Sequence, residues 1–211
     1  STCRSWRPHA DRMPRPGRQH LDLVATADSQ HGLITAAQLA ELGVRTSTTS
    51  RRVAGGMWTR VLPGVHLVGG GVPSRRQRMA AGLLYAGPGS MLTGTVALRL
   101  YGFHALQLQR TSDDEAERPE PVHIPVPHER RRTSTGFVRV ERTHRLPQAV
   151  RMRGLDVAPL ARAVGDAARR MPRRSDAVAV VAEAVQRGWV TIADVRRELA
   201  GGPVRGSAYL R

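Results

Sequence analysis

The sequence contains one cysteine, no lysine and few aromatic residues. Cys3 alone cannot form a disulfide within the chain or a cluster of thiolate metal ligands. No apolar run approaches the roughly 18 residues that span a bilayer, and the N-terminal segment lacks the apolar stretch of a secretory signal. Aromatic side chains make up 4% of the chain, so the core must consist mainly of Val, Leu and Ala. We expect a cytoplasmic protein that makes no membrane contact.

The residues that common catalytic sites require are also missing. A metal-dependent nuclease that uses a carboxylate cluster with a nearby lysine is excluded, because the chain has no lysine. The acidic residues of Thr111–Glu120 are predicted to be solvated in a loop. His123 and His144, which flank a predicted strand pair, are expected to be structural. The run Gly69–Gly71 lacks the Gly-Lys-Ser/Thr ending of a phosphate-binding loop. We therefore predict no enzyme activity, no catalytic residue, no metal site and no cofactor.

The charge of the chain is strongly positive. Lys and Arg total 33 against 17 Asp and Glu, which gives a formal net charge of +16. Such an excess favours a polyanionic partner. Because every one of these basic residues is arginine, codon usage in a high-GC genome also explains part of the excess. The positions of the arginines must therefore decide whether the partner is nucleic acid.

The first third of the chain shows a helix, a short strand and two more helices. Apolar residues at helical spacing predict a helix over Leu21–Asp28, and Leu33–Ile34 is strand-like. Thr35 and Gln38 have the spacing of a capping box and open a second helix that ends near Gly43. A tight turn then leads into a third short helix over residues 46–53.

A β-hairpin is predicted to follow the third helix. Strand-forming residues between Met57 and Val68 surround Pro63-Gly64, a pair that suits a type II turn. The glycines of Gly69–Gly71 suggest a hinge. We therefore predict an α+β protein that begins with a winged helix-turn-helix over residues 21–71, preceded by a disordered basic arm over residues 1–20.

The remaining residues, 72–211, are predicted to form a mixed domain of helices and a small sheet. Capping boxes open the first and last of its helices. A basic loop, His128–Arg132, separates its two predicted strands. The predicted elements are helices at residues 74–86, 93–101, 159–170, 175–187 and 191–199 and strands at 122–126 and 137–141.

The third helix and the hairpin hold the predicted DNA-binding residues. A recognition helix buries one face and offers polar side chains on the other. Val44, Thr49 and Val53 are expected to face inward. Hydroxyls and arginines on the opposite face would hold phosphates or read bases. The predicted DNA contacts are Thr46, Ser47, Thr48, Arg51, Arg52 and Arg60. The alternative for the two helix arginines is a solvated helix end, where cations favour the helix dipole.

These segments resemble a known family. Gly32–Leu39, Leu42–Val44, Ser50–Val53 and Trp58–Val65 are similar to the N-terminal domain of the bacterial AbiEi-type antitoxins. The similarity continues through Arg75–Gly102, and with less specific motifs at Val122–Ile124 and Gly154–Ala168. The family usually has leucine where Thr49 stands.

The resemblance implies a type IV toxin–antitoxin system. Antitoxins of this family repress their own promoter through the winged helix, and their C-terminal region is linked to neutralising a nucleotidyltransferase toxin. We therefore expect a DNA-binding repressor. Its expected partner is the double-stranded DNA of its own promoter region, and a nucleotidyltransferase-type toxin is a candidate second partner. Two alternatives remain open. The first is a protein-interaction module that binds a toxin without binding DNA sequence-specifically. The second is a remnant of a relative that carries a nuclease-like domain after Gly206–Leu210.

Overall fold

The computed structural model describes residues 18–106 and 120–201. The acidic residues of the predicted loop before Glu120 lie outside these ranges, as does most of the predicted basic arm. Glu120 itself was predicted to be solvated, but it is buried and pairs with Arg75 (2.5 Å) and Arg99 (3.3 Å). The prediction of disorder over residues 1–20 is wrong for the last three of them, because the first helix begins at Arg18. The side chain of Gln19 donates to the carbonyl of Leu42 (2.6 Å), which ties this end of the helix to the turn after the second helix.

The N-terminal part has the predicted order of elements. Its three strands form one antiparallel sheet with the order β1-β3-β2. The capping box predicted at Thr35 is confirmed, since its hydroxyl accepts from the amide of Gln38 and the Gln38 side chain accepts from the amide of Thr35. The elements are α1 (Arg18–Ser29), β1 (Leu33–Thr35), α2 (Ala36–Glu41), α3 (Thr46–Ala54), β2 (Trp58–Leu62) and β3 (Val65–Val68).

The rest of the described chain mixes helices with two small two-stranded sheets, so the predicted α+β class is confirmed. The predicted capping boxes at Ser74 and Thr191 are both present. The elements are α4 (Arg75–Ala86), α5 (Gly94–Leu100), β4 (Val122–Pro127), β5 (Val138–Thr143), β6 (Val150–Met152), β7 (Leu155–Val157), α6 (Leu160–Ala168), α7 (Arg174–Gln186) and α8 (Ile192–Ala200).

Two features of this part were not foreseen. Strands β4 and β5 pair in parallel, with Val122 opposite Val138. Strands β6 and β7 form a short hairpin that the sequence analysis missed. The hairpin turns at Arg153-Gly154, where both residues have positive φ, and a non-glycine residue in that region is uncommon.

The sheet of β1, β3 and β2 is covered on both faces. Ile34 and Trp58 join Leu23 of α1 and Leu39 of α2 in a small core. Leu33, Leu62, Val65 and Leu67 join a larger core shared with α4 and the elements after it. The large core therefore crosses residue 71, where a domain boundary was predicted, and the N-terminal elements are packed against the rest of the chain.

Two of the three glycines of the predicted hinge, Gly70 and Gly71, contact the start of the hairpin. All three have positive φ, which favours glycine. A Cβ added to Gly70 would lie 2.5 Å from the carbonyl oxygen of Gly56, so this approach of two backbone segments requires glycine. Thr59 also donates its hydroxyl to the carbonyl of Gly71 (2.9 Å). The segment is thus fastened to the start of the hairpin.

A buried polar network ties α6 to α5. Asp166 is 2% exposed and accepts from the Thr93 hydroxyl (2.8 Å), from Nε of Arg162 (2.8 Å) and from Nη1 of Arg169 (3.1 Å). A buried carboxylate is tolerated only when it is paired and hydrogen-bonded in this way. Among the described residues no helix is long and apolar enough to cross a membrane.

Acid is expected to weaken the fold through Glu141. Burial alone would raise the pKa of this carboxyl, but hydrogen bonds from His123 and Arg170 and the charge of Arg170 outweigh burial and lower the pKa to about 2. A carboxylate with a depressed folded-state pKa stabilises the fold above its unfolded pKa, and this stability is lost as pH falls. We expect the free energy of unfolding to decrease between the ordinary glutamate range and pH 2. In Glu141→Gln, urea denaturation at several pH values should show a smaller decrease; an unchanged one would contradict the assignment.

Candidate nucleic-acid interface

Helices α2 and α3 meet at a short turn. The amide of Val44 donates to the carbonyl of Leu39 (2.8 Å), and Gly43 takes a positive φ. Arg45 is the N-cap of α3, and its side chain makes no hydrogen bond to the first turn. The amides of Thr48 and Thr49 both bond the Arg45 carbonyl. The start of α3 therefore has no side-chain acceptor over its leading amides, which is the arrangement that suits an anion.

One side of α3 packs into the small core, as predicted. Thr49 is 8% exposed, although it is polar. Val44 and Val53 pack against the cluster of Leu23, Ile34, Leu39 and Trp58. The inward orientation of Val44, Thr49 and Val53 is therefore confirmed.

The predicted contact residues of α3 separate into three positions around the helix. Ser47 and Arg51 are exposed and, four residues apart, lie on one face turned away from the core. Thr46 lies on the flank that faces the hairpin. Thr48 and Arg52 are half-buried on the opposite flank.

Arg52 does not share the exposed face of Arg51, which corrects the prediction. Its guanidinium carbon lies 4.7 Å from the centre of the Trp58 ring. A cation over an indole face is attracted by the ring quadrupole and loses rotamer freedom. The spacing of the two neighbouring arginines could not show this contact, because Trp58 approaches α3 only through the pairing of the hairpin with β1.

The Arg52→Ala variant is expected to be less stable by about 1 kcal/mol, because the contact of Arg52 with Trp58 is lost. The matched control is Arg51→Ala on the same helix, which removes an exposed side chain and should change stability by less than about 0.5 kcal/mol. Urea denaturation of both variants measures the difference. Equal free energies of unfolding for the two would contradict a stabilising role for Arg52.

Arg60 lies beside α3 on the second strand. It is exposed and pairs in register with His66, so both project from the sheet face that packs against α1, α2 and α3. A cleft of about 470 Å³ lies between α2, α3 and the hairpin, and Thr46, Ser50, Arg60 and His66 line it. Burial and the charge of Arg60 lower the pKa of His66. The structure thus joins Thr46 with Arg60, as one binding face would require.

Ser50 completes this face and was missed in the sequence analysis. It is exposed and lies one turn after Thr46, on the flank toward the cleft. The signal that could have found it is the spacing of four residues, which places both hydroxyls on one side of a helix. Its hydroxyl adds a donor and acceptor next to Arg60.

The arginines of α3 and the hairpin form no ion pair with an acidic residue in the part of the chain that the structure describes. No Asp or Glu occurs between Glu41 and Asp113 in the sequence. Within residues 18–106 and 120–201, every ion pair joins residues numbered 75 or higher. Arg45, Arg51 and Arg60 therefore face solvent without a carboxylate, whereas many arginines of the later elements are neutralised by one. The positive charge of α3 and the hairpin is thus not offset by a carboxylate of the described residues, although arginines without an ion pair also occur elsewhere, as in the loop 128–132.

The histidines and carboxylates elsewhere do not assemble into a metal site in the described part of the chain. His123 binds Glu141 through Nδ1 (3.1 Å), and His144 stacks on His128 with ring centres 3.8 Å apart. Neither a scan of protein-family models nor a search of curated proteins found a match for this chain.

Proposed function

We propose that residues 18–71 form a winged helix-turn-helix that binds double-stranded DNA. Three features support this assignment. Helices α2 and α3 are joined by a short turn, α3 buries one side and exposes the other, and β2 and β3 form a hairpin that pairs with β1. In proteins of this architecture the second helix of the pair enters the major groove. The counterpart of that recognition helix here is α3.

The exposed side chains fit the two kinds of contact that such a complex makes. Arg51 projects from the outermost face of α3, where an arginine can read guanine through two hydrogen bonds. Ser47 lies one turn before it and can hydrogen-bond a phosphate or a base edge. Thr46, Ser50 and Arg60 lie toward the hairpin and suit the sugar–phosphate backbone, which carries no sequence information. Thr48 and Arg52 contribute from the other flank.

The observation that carries the proposal is a set of exposed arginines on α3 and the hairpin that form no ion pair with any carboxylate of residues 18–106 and 120–201. A solvated helix end would explain Arg51 alone, since cations favour a helix C-terminus. It does not explain Arg45 at the opposite end of α3 or Arg60 on the neighbouring strand. A polyanion running along this face accounts for all three.

The biological setting of the proposal is transcriptional regulation in the cytoplasm of a bacterium. Through its resemblance to AbiEi-type antitoxins, we propose that the protein represses its own promoter and counteracts a nucleotidyltransferase toxin. A neighbouring reading frame for such an enzyme would support the antitoxin role. Its absence would favour a regulator without a toxin.

A binding titration at several salt concentrations tests the proposal. The probe is a duplex that covers the region upstream of the protein's own coding sequence. Neutralising roughly three to five phosphates would give a log–log slope of binding constant against salt of about −3 to −4.5, because condensed counterions are released. Scrambled duplex serves as the control and should bind more weakly. Absence of salt-dependent binding, together with a tight complex with a nucleotidyltransferase, would instead indicate a protein-interaction module.

A further inference from the structure

A second cavity lies where the N-terminal elements meet the rest of the chain. Its volume is about 640 Å³. One wall consists of the turn after α1, the start of α2 and the tip of the β2–β3 hairpin. The other wall consists of the end of α4, the loop 128–132 and the β6–β7 hairpin. The cavity is separate from the cleft between α3 and the hairpin, although Ala36 and Gly64 border both.

Three arginines line this cavity, Arg130, Arg132 and Arg151, together with uncharged polar side chains such as Gln30 and Gln38. Asp156 is the one carboxylate among the described residues that line the cavity, and Oδ1 of Asp156 already accepts from Arg151 (2.8 Å). The cavity therefore keeps an excess of positive charge after this pair is counted. Two arginines of the basic loop 128–132 thus line this cavity, whereas the loop is not part of the proposed DNA-binding face.

The arginines are held in position by the structure around them. Nη1 of Arg130 donates to the carbonyl of Ala86 at the end of α4 (3.1 Å). The guanidinium of Arg132 lies over the ring of Tyr85, with its carbon 5.4 Å from the ring centre. Burial and the charges of Arg76 and Arg151 lower the pKa of His31, which agrees with a positive potential at this place.

The remainder of the lining is largely apolar. Leu83 and Leu84 of α4, Pro88 after it, and Pro63 with Val65 of the hairpin all border the space. Ligand sites for small molecules combine an apolar lining with a few polar groups that set orientation. A cationic set of side chains beside an apolar wall is complementary to a molecule with one anionic end and one apolar end.

We propose that this cavity binds a small organic anion that carries a phosphate or carboxylate group. Arg132 and Arg151 would bond the anionic group, since guanidinium groups match both oxyanions with paired hydrogen bonds. The apolar portion would lie against the end of α4. Macromolecular polyanions are less suited, because the charges line a pocket bordered by apolar side chains.

The site touches the helix that supports the DNA-binding face. Gln30, Thr35 and Gln38 border the cavity, and their side chains form the hydrogen-bonded cap of α2. A ligand held between this cap and the arginines of the later elements would couple the two parts of the chain. On the proposed function, which this consequence assumes, ligand binding would alter the position of α2 and α3 against DNA.

Phenyl phosphate and benzoate are the probes that test the site, and benzyl alcohol is their uncharged control. NMR titration of the full chain should give saturable shifts at the amides of Gln30, Gln38 and Tyr85, with Kd values of about 1 mM or below for at least one anion. The stronger anion identifies the preferred oxyanion. No saturation by either anion up to about 10 mM, or equal binding of benzyl alcohol, would overturn the proposal.

A pair of double variants locates the binding. R132A/R151A removes two exposed arginines, one of which pairs with Asp156. R196A/R197A on α8 removes the same charge and also breaks one exposed pair, with Asp194, away from the cavity. We expect the anion Kd to rise at least about tenfold in the first and less than about twofold in the second. Equal changes would overturn the location. The measurement uses no DNA, so its failure leaves the proposed DNA binding intact.

Discussion

Replacing Arg51 and Arg60 together with alanine is expected to weaken binding to the upstream duplex by about 100-fold, which corresponds to about 3 kcal/mol. Each arginine supplies a charge-assisted contact worth roughly 1.5 kcal/mol, and neither forms an ion pair with a carboxylate of the described residues that would have to be released. Because both side chains are exposed, the variant should fold normally. A gel-shift or anisotropy titration at fixed salt measures the loss, and thermal unfolding checks the fold.

The matched control for this double variant is again R196A/R197A, which removes equal charge from α8. A general electrostatic attraction would weaken both double variants alike, whereas a defined interface weakens the first far more. Similar losses in the two would contradict the placement of DNA against α3. Retained affinity in R51A/R60A would contradict the interface altogether.

Arg51→Lys separates base contact from phosphate contact at the same position. Lysine keeps the positive charge but loses the planar pair of donors that matches guanine. If Arg51 reads a base, the variant should lose discrimination between the upstream and scrambled duplexes while keeping its affinity for the scrambled one. Unchanged discrimination would assign Arg51 to the phosphate backbone.

Asp166→Asn is expected to destabilise the fold by about 3–5 kcal/mol, the largest stability effect among the substitutions considered. The substitution keeps the shape of the side chain but removes the charge that faces Arg162 and Arg169, both of which are buried at their side chains. The amide nitrogen of asparagine would place a donor against guanidinium donors. Buried charge without a partner carries the full desolvation penalty.

Asp194→Asn is the control for this substitution. Asp194 also accepts from a threonine hydroxyl and pairs with an arginine, but it does so in the exposed capping box of α8. Its replacement should reduce stability far less than that of Asp166, because the carboxylate is solvated and its ion pair is screened. Urea denaturation of both variants gives the comparison. If Asp166→Asn were no more destabilising than Asp194→Asn, the network would not be a determinant of the fold.

The local elements of this protein were predictable from short spacings in the sequence. Thr35 with Gln38, Ser74 with Gln77 and Thr191 with Asp194 each mark a helix start, and all three capping boxes are present. The inward position of Thr49 followed from its place on a helix, four residues before Val53. Such features depend on residues three or four apart, so the chain around them determines their geometry.

Contacts between distant segments depended on the tertiary structure alone. The pairing of the hairpin with β1 brings Trp58 under Arg52 and Arg60 beside Thr46, and no spacing within α3 encodes either contact. The parallel pairing of β4 with β5 and the burial of Asp166 also arise from packing across many residues. The sequence by itself determined which elements form and that α3 exposes hydroxyls and Arg51. Tertiary packing decided that Arg52 lies over Trp58 and that Arg60 lies beside Thr46, because both positions depend on how the hairpin pairs with β1.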